Sequence, residues 1–258
     1  MTKKDKELKE LLDIEVETRN TTFEISYDKP DPLLIAKRQN NDYAILLCAL
    51  FAYGNAKLVV KFLDSLDFSL LDENEDKIEK ELKNHYYRFQ SSKDVIEVFK
   101  TFSRLKKEFN LEDNFYKAYK KENSVLDGID TLIKQIRCSS NYSSKGFDFL
   151  VGNVLKRDKN GVIKDTNAPY KRWNMYLRWM VRDDNIDLGL WKNIDKKDLI
   201  LPLDTHTFRI SQKFGLLKNK NYNLKSALEI SKKLKEFDSI DPVKYDFAIY
   251  RLGQEKVF

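Results

Sequence analysis

The sequence predicts an all-α protein, and two observations carry that reading. Glycine and proline are scarce, at 8 and 5 of 258 residues. Long stretches also repeat their apolar residues at helical spacing. A chain of this length buries a substantial core, arranged as one large domain or as two helical lobes around a cleft.

Taken in chain order, residues 8–16 form a plausible first helix, and Asp28-Lys-Pro-Asp-Pro32 breaks the chain after it. Residues 42–52 are apolar nearly all round, the pattern of a buried central helix. Tyr53-Gly54-Asn55 ends that helix, with glycine suited to a C-terminal cap. Further helices are predicted at 56–66, 78–84, 94–108, 111–122 and 125–137. Ser139-Ser-Asn-Tyr-Ser-Ser144 is the clearest break and predicts a lobe connection near 138–146, followed by a helix over 147–154 and a polar loop up to Pro169. The next helix begins after that proline, because Trp173, Tyr176, Leu177 and Met180 recur at i, i+3, i+4 and i+7. Asp204 stands where an N-cap belongs, able to accept from the backbone N–H of His206 or Thr207, and its helix runs on until Gly215. In the tail, Asp241 and Pro242 offer an N-cap and a first-turn proline for a helix ending near Gly253.

Two positions in this pattern point to chemistry. Lys171 sits in the first turn of its helix beside Arg172, where a cation opposes the helix dipole. That is poor helix design, but it suits an amine that must act as a nucleophile. A solvated surface lysine is the plain alternative. Lys171, Asn174, Arg178 and Arg182 share a second stripe on that helix, and Arg172, Arg178 and Arg182 alternate with tryptophans, a pattern that could engage phosphates while aromatic faces meet unstacked bases. Core packing is the competing reading for Trp173, Trp179 and Trp191. Asp204, held rigid by helix N–H groups, could stabilise a developing cation or take a proton from an amine, although capping alone would also explain it. Asp246 lies four residues before Tyr250, so the two share a helix face, and pairing with Arg251 or Lys244 is its simplest role.

Together the lysine helix and Leu203-Asp204-Thr205-His206-Thr207-Phe208-Arg209 resemble the helix-hairpin-helix superfamily of DNA base-excision glycosylases. A bacterial family marked by a Lys-Arg-x-Asn-Met-x-Leu-Arg-Trp-Met-Val-Arg helix is similar over nearly the whole chain, from Asp31-Pro32-Leu33 through Ala52-Tyr53-Gly54 to the segment 241–246. Archaeal 8-oxoguanine DNA glycosylases are similar more remotely, at the two helix starts and Asp246. The resemblance implies a glycosylase-like arrangement of two helical lobes around a cleft. It implies Lys171 and Asp204 as catalytic groups, and Asp246, Tyr250 and Arg178 as groups reading a flipped base, with Gly54 and Asn55 closing the opposite wall. It also implies DNA contacts from Arg172, Arg182, His206 and Arg209, duplex DNA carrying a damaged base as partner, and no metal or organic cofactor. A lysine Schiff base would expel an oxidised purine, 8-oxoguanine being the first candidate, and β-elimination could then nick the strand. The pattern departs in one place. Where relatives carry a Gly-x-Gly hairpin whose N–H groups hold a phosphate, this chain offers Lys159-Asn160-Gly161-Val162 and then Asn167-Ala168-Pro169.

Composition sets the remaining bounds. Two cysteines, Cys48 and Cys138, cannot supply the four thiolates of an iron–sulfur cluster. With His85 and His206 widely scattered, structural zinc is not expected either. No apolar run approaches the about 20 residues needed to span a bilayer. The N-terminal residues lack the apolar centre of a signal peptide. These features predict a monomeric cytoplasmic protein associated with the nucleoid. The net charge of +6 permits a polyanionic partner without specifying one. Two rival classes stay open: a nucleic-acid-binding protein of the same fold without catalysis, and a helical interaction scaffold.

Overall fold

The computed structural model describes residues 1–255 and shows an all-helical protein, with thirteen α-helices and no named strand among those residues. The chain folds as two compact units, one built from Ile25–Leu155 and the other from Met1–Glu24 together with the chain from Lys156 onward. No described helix is long and apolar enough to cross a membrane.

The second unit starts with α1 (Lys3–Arg19), which is longer than the sequence pattern predicts because Thr2 and Asp5 form a reciprocal capping box at its start. The chain then enters the unit of Ile25–Leu155 through α2 (Leu33–Ala36) and α3 (Asp42–Leu50). Every residue of α3 from Tyr43 to Leu50 is buried, as its uniformly apolar sequence requires. Asn55 caps α4 (Ala56–Asp64), accepting from the N–H groups of Lys57 and Leu58. α5 (Glu75–Leu82) and α6 (Ser92–Glu108) follow, each starting on a capping Asn or Ser. α7 (Leu111–Glu122) and α8 (Val125–Cys138) form a helical hairpin closed by Asn123 in the left-handed conformation at φ 51°. The two helices touch closely at Gly128, where a Cβ would lie 2.4 Å from the Phe115 ring.

The segment predicted as a lobe connection near 138–146 lies inside this unit. The seams between units fall at residues 24/25 and 155/156 instead. Polar residues misled the pattern here, because they are used for a buried capping network rather than for a solvated linker. Asp94 of α6 accepts from the Ser91 N–H at 2.7 Å and the Ser91 hydroxyl at 2.8 Å. It also accepts from the Tyr142 hydroxyl at 2.9 Å and from the Ser144 hydroxyl. Ser144 in turn caps α9 (Lys145–Val151), which Gly152 ends at φ 89°.

The other unit resumes with α10 (Lys171–Val181), α11 (Thr205–Phe214), α12 (Leu224–Lys235) and α13 (Tyr245–Gln254). α12, like the short α2, is a helix that the sequence pattern did not single out. It is capped by Asn223 and hydrogen-bonds through the Leu224 N–H to the Asn167 carbonyl at 2.8 Å. Pro242 opens one 3₁₀ turn, Pro242–Lys244, before α13 begins. α13 packs along α1, where the Tyr245 hydroxyl donates to Asp13 at 2.8 Å.

The Asp94 node generates a stability prediction. Burial pushes its carboxyl up, but the hydrogen bonds from Ser144, Ser91 and Tyr142 outweigh burial and hold it below its ordinary value. A carboxyl depressed in the folded state stabilises the fold above its unfolded pKa and loses that contribution as pH falls. Asp94→Ala should therefore cost about 2–4 kcal/mol at neutral pH by urea denaturation. The deficit should shrink in acid; an unchanged urea midpoint at neutral pH would show that the node is dispensable.

Candidate functional site

Lys171 is the first residue of α10, and Tyr170 before it holds the left-handed conformation at φ 49° and ψ 38° without a side-chain cap. That conformation costs a residue with a Cβ on the order of 1–2 kcal/mol and sets the angle at which the chain enters the helix. Asn174 secures the entry by donating from Nδ2 to the Pro169 carbonyl at 3.0 Å, while its Oδ1 is buried without a hydrogen-bond partner. The Lys171 Nζ lies 3.6 Å from the Met175 sulfur, and the lysine is half-buried.

The stripe that continues from Lys171 through Asn174, Arg178 and Arg182 faces the interior. Arg178 and Arg182 are 5% and 6% exposed. Arg178 donates from Nη1 to Asp246 Oδ2 at 2.5 Å and from Nε to Asp187 Oδ1 at 3.2 Å. Arg182 grips both oxygens of Asp241 from Nε at 3.0 and 3.1 Å, meets Asp187 Oδ2 at 2.5 Å, and lies 2.8 Å from Asp184. After Arg182 the chain doubles back over the end of α10, with the Leu188 and Trp191 N–H groups bonding to the Trp179 and Met180 carbonyls at 2.8 and 2.7 Å. That return delivers Asp184 and Asp187 to the two arginines.

Two guanidiniums thus meet four buried or half-buried carboxylates, and the surplus of negative charge falls unevenly. Asp184 is held below the usual carboxylate range, because Arg182 and the N–H groups of Ile186 and Asp187 outweigh its burial. Asp187 is raised by burial despite both arginines. Burial raises Asp246 to about 6, with Arg178 and Lys171 pulling it down and the Asp204 carboxylate pushing it further up. Asp246, in the first turn of α13, is therefore within electrostatic reach of both Lys171 and Asp204.

Asp204 reaches this place through α11. Its Oδ1 accepts from the Thr207 N–H at 2.7 Å, one of the two caps that the sequence allows, and Gly215 closes the helix at φ 77°. α11 packs against α13, where Gly253 keeps the contact close: a Cβ there would lie 3.1 Å from Ile210. Tyr222, which sequence reasoning missed, props the cap from outside. Its hydroxyl donates to the Leu203 carbonyl at 2.7 Å, and its ring packs edge-on against Phe208. Burial and the nearby Asp204 charge push the Tyr222 hydroxyl up to about 12. Only a tyrosine in the polar run 218–223 marked it, and nothing in the spacing linked it to Asp204.

The expected site residues fall into distinct groups. Asp246 is bonded to Arg178 and lies within electrostatic reach of Lys171 and Asp204. Tyr250 is half-buried one turn beyond Asp246, its hydroxyl accepting from Gln254 at 2.7 Å. His206 and Arg209 are exposed on α11, and Lys213 continues their face. Gly54 and Asn55 belong to the unit of Ile25–Leu155, where Asn55 serves as the α4 cap.

The arginine patch proposed from the sequence requires correction. Arg182 is buried among aspartates, Arg178 is committed to Asp187 and Asp246, and only Arg172 of the three is partly exposed. Trp173, Trp179 and Trp191 are core residues, so no aromatic face alternates with surface cations along α10. Nor does the turn at 158–162 replace the Gly-x-Gly hairpin. Its Asn160 and Val162 N–H groups are taken by the Asp158 carboxylate at 2.8 and 2.9 Å, the groups that a phosphate would need.

A family model described as "Protein of unknown function (DUF2400)" matches residues 31–255, and the chain belongs to that family. No curated protein and no solved structure matches it.

The corrected role of Arg182 predicts a stability phenotype. Arg182→Met should lower unfolding stability by about 3–5 kcal/mol, since it strands Asp184 and Asp241 without their arginine and leaves the buried Asp187 with Arg178 alone. Thermal unfolding reads this directly, and a wild-type melting temperature would contradict the buried network.

Proposed function

We propose that this member of the DUF2400 family is a DNA base-excision glycosylase that works through a lysine Schiff base, on a fold like that of the helix-hairpin-helix glycosylases. One observation supports the reading most. The carboxylate in the first turn of α13 is within electrostatic reach of both the amine at the start of α10 and the rigid cap carboxylate at the start of α11, and the sequence resemblance expects those same three groups in one site.

In the proposed reaction the damaged nucleotide leaves the stack before chemistry begins. The neutral Lys171 amine attacks C1′ of the deoxyribose, and the glycosidic bond breaks with its electron pair going to the base, which leaves as an anion and takes a proton from water. Asp204 stabilises the positive charge that grows on the sugar and accepts the proton that the attacking amine sheds. The C1′–O4′ bond of the sugar ring then breaks with its electron pair going to O4′, which takes the proton back from Asp204 and leaves the Schiff base; β-elimination expels the 3′ phosphate, and hydrolysis of the imine frees the lysine. Asp246 reads the flipped base. Arg178 holds its Oδ2 and so presents the carboxylate in a fixed orientation, and an oxidised guanine would supply the N–H donors that such a group accepts. Tyr250, one turn further along α13, offers a ring beside it. The exposed face of His206, Arg209 and Lys213 on α11 suits phosphate contacts better than the buried arginines do.

Borohydride trapping tests the mechanism. Wild-type protein should become covalently attached to duplexes containing 8-oxoguanine, with an abasic duplex separating base removal from lyase action. Lys171→Gln should abolish trapping and base release while lesion-DNA binding persists. Asp204→Asn should slow release on the order of 10²–10³-fold. Base release by Lys171→Gln at the wild-type rate would exclude Lys171 as the nucleophile.

Asp246 adds a pH test. A carboxyl raised from 3.8 to about 6 is protonated below that pH and ionised above it, so the accepting form is lost as pH falls through about 6. Wild-type preference for the lesion over normal guanine should fall across that range. Asp246→Asn should show a weak preference that is flat with pH. A wild-type preference that is flat from neutral pH down to about 5 would remove Asp246 from base reading.

A further inference from the structure

The unit of Ile25–Leu155 carries an aromatic cluster that the excision reading does not use. The Tyr53 ring lies parallel to Phe89, with centroids 5.9 Å apart and planes 4° from coplanar. Phe149 of α9 sets its edge against both, at 4.9 and 5.4 Å. On the inner side the cluster is anchored: Tyr87 is buried, packs edge-on against Tyr53 at 5.3 Å, and donates from its hydroxyl to the Tyr53 carbonyl at 2.8 Å. On the outer side it is open. Phe89 is 60% exposed and Phe149 is 42% exposed.

A cation is built into the same cluster. Arg88 takes a left-handed backbone conformation at φ 51°, and its guanidinium lies over the Tyr53 and Phe89 rings at 5.6 and 5.3 Å. Gly54 makes room for it: φ is +96° there, and a Cβ would lie 2.0 Å from the Arg88 Nη1. No carboxylate pairs with Arg88 among the described residues. Lys145 precedes Phe149 by four residues on α9 and is also exposed, so it shares that helix face.

We propose that Tyr53, Arg88, Phe89 and Phe149 form a stacking platform for unpaired bases of a single-stranded nucleic acid. The ligand must be flat to cover parallel rings and anionic to satisfy a guanidinium that has no carboxylate. A nucleotide chain offers both in each repeat: a π-face for Phe89 and a phosphate for Arg88 and Lys145. An apolar protein face would bury Arg88 without a counter-charge, which is costly. The platform lies in a different unit from Lys171 and does not depend on any excision chemistry.

Fluorescence anisotropy with a labelled oligothymidylate of roughly ten nucleotides tests it. Phe89→Ala and Arg88→Ala should each weaken binding about tenfold, and a base-free deoxyribose-phosphate strand of equal length should bind the wild type about tenfold more weakly than the oligothymidylate. Phe89 is exposed, so its substitution should leave the circular-dichroism spectrum intact. Phe23, an aromatic 83% exposed in the other unit, serves as a control, and Phe23→Ala should bind as wild type. Equal binding by Phe89→Ala, or equal affinity for the base-free strand, overturns the platform. So does a change in sedimentation on Phe89→Ala with oligonucleotide binding unaltered, which would identify a contact between proteins. Lys171→Gln should bind the oligothymidylate normally, so loss of base release and loss of the platform are told apart.

Discussion

The site depends on Arg178 being shared between two aspartates. One guanidinium edge holds Asp187 on the return of the chain after α10, and the other holds Asp246 on α13. Because a guanidinium is planar and always charged, it fixes the direction of both carboxylates as well as their distance. Arg182, one turn on, repeats the device with Asp187, Asp184 and Asp241. Buried ion pairs of this kind contribute little net stability, since desolvation consumes most of the attraction. What they supply is register: α10 and α13 cannot slide by a turn without stranding a buried charge.

That register has an electrostatic consequence. With carboxylates outnumbering guanidiniums, burial raises both Asp187 and Asp246, and Asp246 has a single arginine where Asp187 has two. Asp246 therefore combines fixed orientation with a proton affinity raised to about 6. A purely structural salt bridge would favour complete neutralisation. An acid left partly uncompensated and within electrostatic reach of an amine and a second carboxylate is the arrangement expected where protonation state matters.

Much of the local structure was legible in the sequence because it rests on short-range rules. Asp204 as a cap, Gly215 as a terminator, the wholly buried α3 and the start of α10 at Lys171 follow from capping chemistry and apolar spacing. The role of the arginines was not legible. Arg178 and Arg182 occupy a polar stripe, and a polar stripe signals a solvated face unless acids from elsewhere cover it. The covering acids come from a loop and from a helix about sixty residues downstream, which no periodicity on α10 can reveal. Asp241 shows the same limit from the other side: it stands in a capping position, yet caps nothing with its side chain and holds Arg182 instead. The serine-rich break near 138–146 failed for a related reason, since Asp94 converts polar residues into an internal network.

The buried arginines also constrain how a polyanion could be held. Cations committed to aspartates cannot exchange those partners for phosphates without leaving several charges unpaired, a cost of several kcal/mol that a surface phosphate contact does not repay. The turn at 158–162 is closed to phosphate for the same kind of reason, because Asp158 has already taken its N–H groups. Under the proposed function, a grip on the nucleic-acid backbone by this unit would then come from side chains that folding has left exposed. His206, Arg209 and Lys213 meet that condition on one face of α11, the helix whose first residue follows the Asp204 cap. In the proposed excision reading, the same short helix orients the carboxylate through its N-terminus and the duplex through its exposed side, which would tie the position of the strand to the position of the reacting sugar.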